Sequence, residues 1–159
     1  MKKIYSIILL AFVTVLSGCG DDENNFSIRP LIGFASGSGY VLETNTTGAR
    51  IGFYTNTVIT EPVTVKVQVN NIDGLEYGTD YTTDPEPVDN VITVTIDPED
   101  DQPSFWVIPA TSDEEVRNIN FQITEVSGNG FALGQFATLT HTLSITKTEI
   151  LPTDTRTIA

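Results

Sequence analysis

Val63, Val65, Val67 and Val69 alternate without a break with Thr64, Lys66 and Gln68. In an extended chain a period of two puts every valine on one side and every polar residue on the other, so this run predicts a strand with one buried face. The pattern recurs. Ile92, Val94 and Ile96 alternate with Thr93 and Thr95, and Ile119, Phe121 and Ile123 alternate with Asn120 and Gln122. Near the end, Leu139, Leu143 and Ile145 share one parity, with Thr138, Thr140, Thr142 and Ser144 on the other. Tyr40–Glu43, Ala49–Thr55 and Ser104–Ile108 are shorter candidates. Turn-forming clusters separate these runs at Asn45–Gly48, Asn71–Gly74, Asp84–Asn90, Pro98–Pro103, Thr111–Glu115 and Ser127–Gly130. No window carries an apolar stripe at helical spacing for three turns. Six to eight short strands, each with one apolar face, are expected to form two sheets packed on a shared core, a β-sandwich.

Length allows that core. The chain has 159 residues, and a domain near this size buries roughly 70% of its unfolded surface without needing disulfides. All 21 acidic residues lie after position 18, against six basic residues in the same stretch, a formal charge of −15 for that part. There is no basic stripe of the kind nucleic acid demands, so nucleic acid is not an expected partner. Such acidity serves solubility and self-repulsion at a crowded cell surface, or supplies carboxylates to a cation.

The N-terminus has the layout of an export signal. Lys2 and Lys3 precede an apolar run of 12 residues, Ile4 to Val15, too short to remain as a membrane span of ~20 residues. The run ends in Leu16-Ser17-Gly18-Cys19. This tetrapeptide resembles the lipobox of bacterial lipoproteins. The resemblance implies cleavage before Cys19, diacylglycerol on its thiol and usually a third acyl chain such as palmitate. At about 0.8 kcal/mol per buried CH₂, two or three chains anchor stably where one does not. Cys19 is the only cysteine, so no disulfide competes for it. The acids that follow, Asp21, Asp22 and Glu23, resemble the short signal that sends lipoproteins of some Gram-negative bacteria to the outer face of the outer membrane. A plain polar tether is the other reading. The expected organisation is a signal over 1–18, a lipidated cysteine and acidic tether over 19–30, a sandwich over 31–150 and a tail over 151–159.

Order and spacing within the sandwich carry a second resemblance. Gly78-Thr79-Asp80-Tyr81 follows a valine-rich strand and precedes Val91–Ile96, Phe105–Ile108, the acidic turn Ser112-Asp113-Glu114-Glu115, Phe121-Gln122-Ile123, Gly130–Leu133 and a threonine-rich closing strand. From Tyr40 to Thr148 this is similar to the Calx-beta family. The resemblance implies an all-β, immunoglobulin-like Greek-key sandwich of about seven strands, found in extracellular and adhesion proteins, some of which bind Ca²⁺ at one end. Carried over by position, Glu43, Asp80 and Asp113 stand at three of the family's metal-ligand places, with Glu114 and Glu115 nearby. Other places are altered. The acids expected before the Phe121 strand fall on Asn118 and Ile119, and the final acidic cluster falls on Thr146-Lys147-Thr148. About half of an oxygen-ligand set is therefore missing, and Asp80 reads equally as a turn aspartate accepting backbone hydrogen bonds.

Catalytic parts are scarce. His141 is the sole histidine and shares the parity of Leu139 and Leu143, which places it toward the core. No second histidine and no Gly-x-Ser-x-Gly turn accompany it, so an enzyme is not expected. Glycan binding needs exposed aromatic faces. Phe105 and Trp106 are adjacent in one strand and must point to opposite faces, and Tyr54 has the parity opposite to Ile51 and Phe53. Trp106 and Tyr54 are therefore the candidates for a ligand face, rim packing being the alternative. The sequence thus predicts a surface lipoprotein whose sandwich is either a non-catalytic module for a glycan or envelope protein, or a calcium-stabilised spacer.

Overall fold

The computed structural model describes residues 29–71, 74–133 and 138–147. The signal, Cys19, the acids Asp21, Asp22 and Glu23, and the tail from Leu151 lie outside the described residues. Within them the chain forms ten strands and no helix: β1 (Leu31–Phe34), β2 (Ser38–Leu42), β3 (Ala49–Thr55), β4 (Val63–Asn71), β5 (Tyr81–Asp84), β6 (Val91–Ile96), β7 (Ser104–Pro109), β8 (Val116–Ser127), β9 (Ala132–Leu133) and β10 (Thr140–Thr146). They build two five-stranded sheets, ordered β5-β7-β3-β1-β9 and β2-β10-β8-β4-β6. The architecture is a β-sandwich, as the alternation predicts, and an immunoglobulin-like one, as the resemblance implies. The surplus over seven strands comes from β1, β5 and β9, segments of four, four and two residues.

Burial follows parity. Val63, Val65, Val67 and Val69 face inward from β4, and Ile92, Val94 and Ile96 do so from β6. Ile119, Phe121 and Ile123 of β8 and Leu143 and Ile145 of β10 complete one inner wall; Ile32, Phe34, Ile51, Phe53, Phe105 and Val107 form the facing one. The walls meet through aromatic edges. Phe105 lies 5.2 Å from Phe121 across the core in an edge-on arrangement, while Phe34 and Phe53 stack at 5.7 Å within one wall. Such pairs add about 0.5–1.5 kcal/mol beyond their buried area. His141 belongs to this core, 6% exposed, with Nδ1 2.7 Å from the Ser36 carbonyl and its ring 5.8 Å from Phe34.

Two local devices position what matters below. Opposite Lys66 and Val67, β8 carries one unpaired residue, Thr124, because Lys66 aligns with Glu125 and Val67 with Ile123. A bulge of this kind bends its strand and increases the local twist. Gly78 opens the turn before β5 at a φ of 85°, a left-handed conformation that costs a residue with a Cβ about 1–2 kcal/mol. That turn brings Asp80 to one end of the sandwich.

Candidate functional site

The residues nominated for chemistry collect in two places, an end of the sandwich and the outer face of one sheet. At the end, four segments meet: the residue after β2, the turn before β5, the residue after β7, and the start of β8. Asp80 is held mainly by backbone. Its Oδ2 accepts from the Glu76 N–H at 2.8 Å, its N–H donates to the Glu76 carbonyl at 2.9 Å, and its carbonyl accepts from the Ala110 N–H at 2.9 Å. The turn role of Asp80 is thus present in the structure. Glu43 is anchored by its N–H to the Thr146 carbonyl at 2.9 Å, and its Oε2 accepts from the Ser112 N–H at 3.2 Å.

Between these two carboxylates lies Arg117, 1% exposed. Its Nη2 donates to Glu43 Oε2 at 3.2 Å and to the Ala110 carbonyl at 2.7 Å. Its Nη1 donates to the Asp80 carbonyl at 3.4 Å and lies 3.7 Å from Asp80 Oδ1. The strand pattern explains the placement: Arg117 has the inward parity of Ile119, Phe121 and Ile123, at the point where the core opens to the end loops. Reading β8 as beginning at Ile119 misses it. A basic residue two positions upstream on the inward face was the available signal.

Of the three expected metal ligands, Glu43 and Asp80 come together, while Asp113 is exposed in the loop, its carbonyl accepting from Lys147 Nζ at 2.8 Å. Among the described residues no group of three or more acidic, histidine or cysteine side chains is arranged to share an ion. The donor set therefore does not fit calcium, because the space its carboxylates enclose is filled by a guanidinium.

Beside this end, Tyr81 packs edge-on against Tyr77 at 5.6 Å and donates its hydroxyl to Asn71 Oδ1 at 2.6 Å. Burial pushes its phenol up to about 12, with smaller contributions in the same direction from Tyr77 and Asp80.

The second place is the outer face of the β5-β7-β3-β1-β9 sheet. Tyr54 stands out from β3 at 63% exposure, opposite Gly33 of β1. Trp106 points to the same face from β7, half-buried, with Arg50 of β3 on one side and Asp84 of β5 on the other. Between the rings the paired residues are Gly52 and Ser104. One glycine and one serine therefore floor the interval between the two aromatics, Gly33 lying on the far side of Tyr54. Four residues along the strand and one strand across put the side chains about 14 Å apart. Arg50 hydrogen-bonds to Gln102 at the rim.

No family model and no curated protein matches the sequence. Solved structures do. The apo form of the Calx CBD1 domain matches with a TM-score of 0.54 at 17% identity, over 73% of this chain and 96% of that one. CBD12 from CALX1.2 matches at 0.53 and 16%, over 73% of this chain and 44% of that one. The calcium binding domain CBD12 of CALX1.1 matches at 0.52 and 18%, over 70% and 44% respectively. This chain thus spans nearly all of the CBD1 structure and less than half of each CBD12 structure. At such identities the likeness is one of architecture, and the domain has the Calx-beta fold.

Proposed function

We propose that this chain is a lipoprotein of the outer membrane, facing the cell exterior, whose sandwich is a non-catalytic module that takes a glycan or an envelope protein on the Tyr54–Trp106 face. The address rests on the sequence alone: the short apolar run, Cys19 and the acids after it. The binding reading rests on one observation, the shallow floor of Gly52 and Ser104 lying between two outward aromatics. Aromatic rings offer an apolar surface to the C–H face of a sugar at little entropic cost. Arg50 and Asp84, flanking Trp106, offer the hydrogen-bonding groups that fix orientation. A span of about 14 Å suits a short oligosaccharide rather than a single ring. The calcium-spacer alternative has no observation in its favour at Glu43, Asp80 and Asp113.

Trp106 is the only tryptophan, so its emission reports directly on this face. Titrating the full chain with a panel of short envelope oligosaccharides should shift or quench that emission for at least one member. Tyr54→Ala should weaken binding roughly tenfold or more, the loss of about 1.4 kcal/mol, with the melting temperature unchanged because the ring is exposed. An unmoved spectrum across the panel, together with an empty pull-down from solubilised envelopes, would sink the proposal.

A further inference from the structure

A guanidinium withdrawn from water is costly unless its charge and its donors are both met. At Arg117 one positive group faces two carboxylates, Glu43 and Asp80, and two backbone carbonyls, those of Asp80 and Ala110, and of its nitrogens only Nε has no hydrogen-bond partner. Carboxylates and carbonyls from separate loops, converging on one centre, are the oxygen set that a hard divalent cation uses. Here the centre is part of the chain. Three of the contacts to guanidinium nitrogens, at 2.7, 3.2 and 3.4 Å, are hydrogen bonds, and the fourth, to Asp80 Oδ1 at 3.7 Å, is an ion pair. Arg117 also joins the sheets, since β2 and β8 belong to one and β5 and β7 to the other.

We infer that Arg117 is a resident cation that closes this end of the sandwich in place of a dissociable divalent ion, so that the fold's stability does not depend on calcium. The nearby charges agree. Lys147 adds a second positive group, bonded to the Asp113 carbonyl beside the loop acids Asp113, Glu114 and Glu115. Removing the guanidinium leaves Glu43 and Asp80 facing one another across a gap with no cation, the condition under which a divalent ion is recruited.

The test is thermal melting of the full chain with a chelator or with about 5 mM calcium, above the roughly millimolar dissociation constants of weak extracellular sites. The wild type should melt at one temperature in both. Arg117→Met should melt on the order of 10 °C lower in chelator, as expected for carboxylates stripped of their partner, and calcium should restore part of the loss. Arg117→Lys should lose less and remain indifferent to calcium. A wild type raised by several degrees in calcium overturns the inference, as does an Arg117→Met protein that calcium leaves unchanged. Should Arg117→Met not fold in either condition, Arg117→Lys decides: calcium-silent melting supports the inference and a calcium-dependent rise overturns it.

Discussion

Tyr81 couples the fold to alkaline pH through a single proton. In the unfolded chain its phenol ionises near 10, an ordinary value, whereas in the folded domain burial holds it up to about 12. Between these values the unfolded chain binds fewer protons than the folded one, so stability falls as pH rises through the window and is fully present below it. Urea unfolding should show a midpoint that drops between about pH 10 and 12, and Tyr81→Phe should lessen that drop while costing on the order of 1 kcal/mol at neutral pH for the lost bond to Asn71. A variant with the wild-type alkaline slope would remove Tyr81 from the account. Arg117 lies close by and is harder to read from sequence. A charged residue with inward parity looks like the end of a strand, and only the arrival of Glu43 and Asp80 from remote segments, with the Ala110 carbonyl from the preceding loop, makes its burial tolerable.

The connection between β2 and β3 turns on Gly48. Its φ is 81°, and a Cβ there would sit 2.4 Å from the Val107 carbonyl oxygen. Gly48→Ala therefore has both a conformational and a steric cost, about 2–4 kcal/mol in denaturant unfolding. Gly74 also has a positive φ, but a Cβ added there would meet nothing within 4 Å, and Gly74→Ala should cost about 1 kcal/mol; equal losses would show that sterics at β7 play no part. At this scale the sequence is most legible where a strand is long and one-sided. β4, β6, β8 and β10 announce themselves by alternation, because each has one face on the core. β1, with Gly33 in its middle, β5, beginning inside a turn motif, and the two-residue β9 do not. They exist through backbone bonds to partners far along the chain, as β1 does with β3 and β9, and no local pattern records such pairing. The aromatic face is legible for the opposite reason, since parity alone sends Tyr54 outward and sets Trp106 opposite Phe105; the Gly52–Ser104 floor between the rings needs the register of two strands.

Across the whole molecule, negative charge opposes compaction. With 21 acidic residues against eight basic ones, repulsion is spread over the surface. The exposed pair Lys66–Glu125, at 2.8 Å, offsets at most about 1 kcal/mol of it. Raising salt from roughly 20 to 200 mM shortens the screening length from about 20 Å to below 10 Å. It should weaken this diffuse repulsion more than the buried Arg117 contacts, so the melting temperature should rise by a few degrees; a fall would mean that specific ion pairs outweigh the net charge. The registers also give the domain a direction. Leu31 begins β1 beside Asn56, and the last described residue, Lys147, lies beside Glu115 at the Arg117 end. Pulled between those two points, β1 and β10 would be loaded along their lengths. The hydrogen bonds of β10 to both β2 and β8 would then share the force instead of parting one by one. A domain threaded in this way resists tension in shear, a mechanical stiffness set by where the strands begin and end.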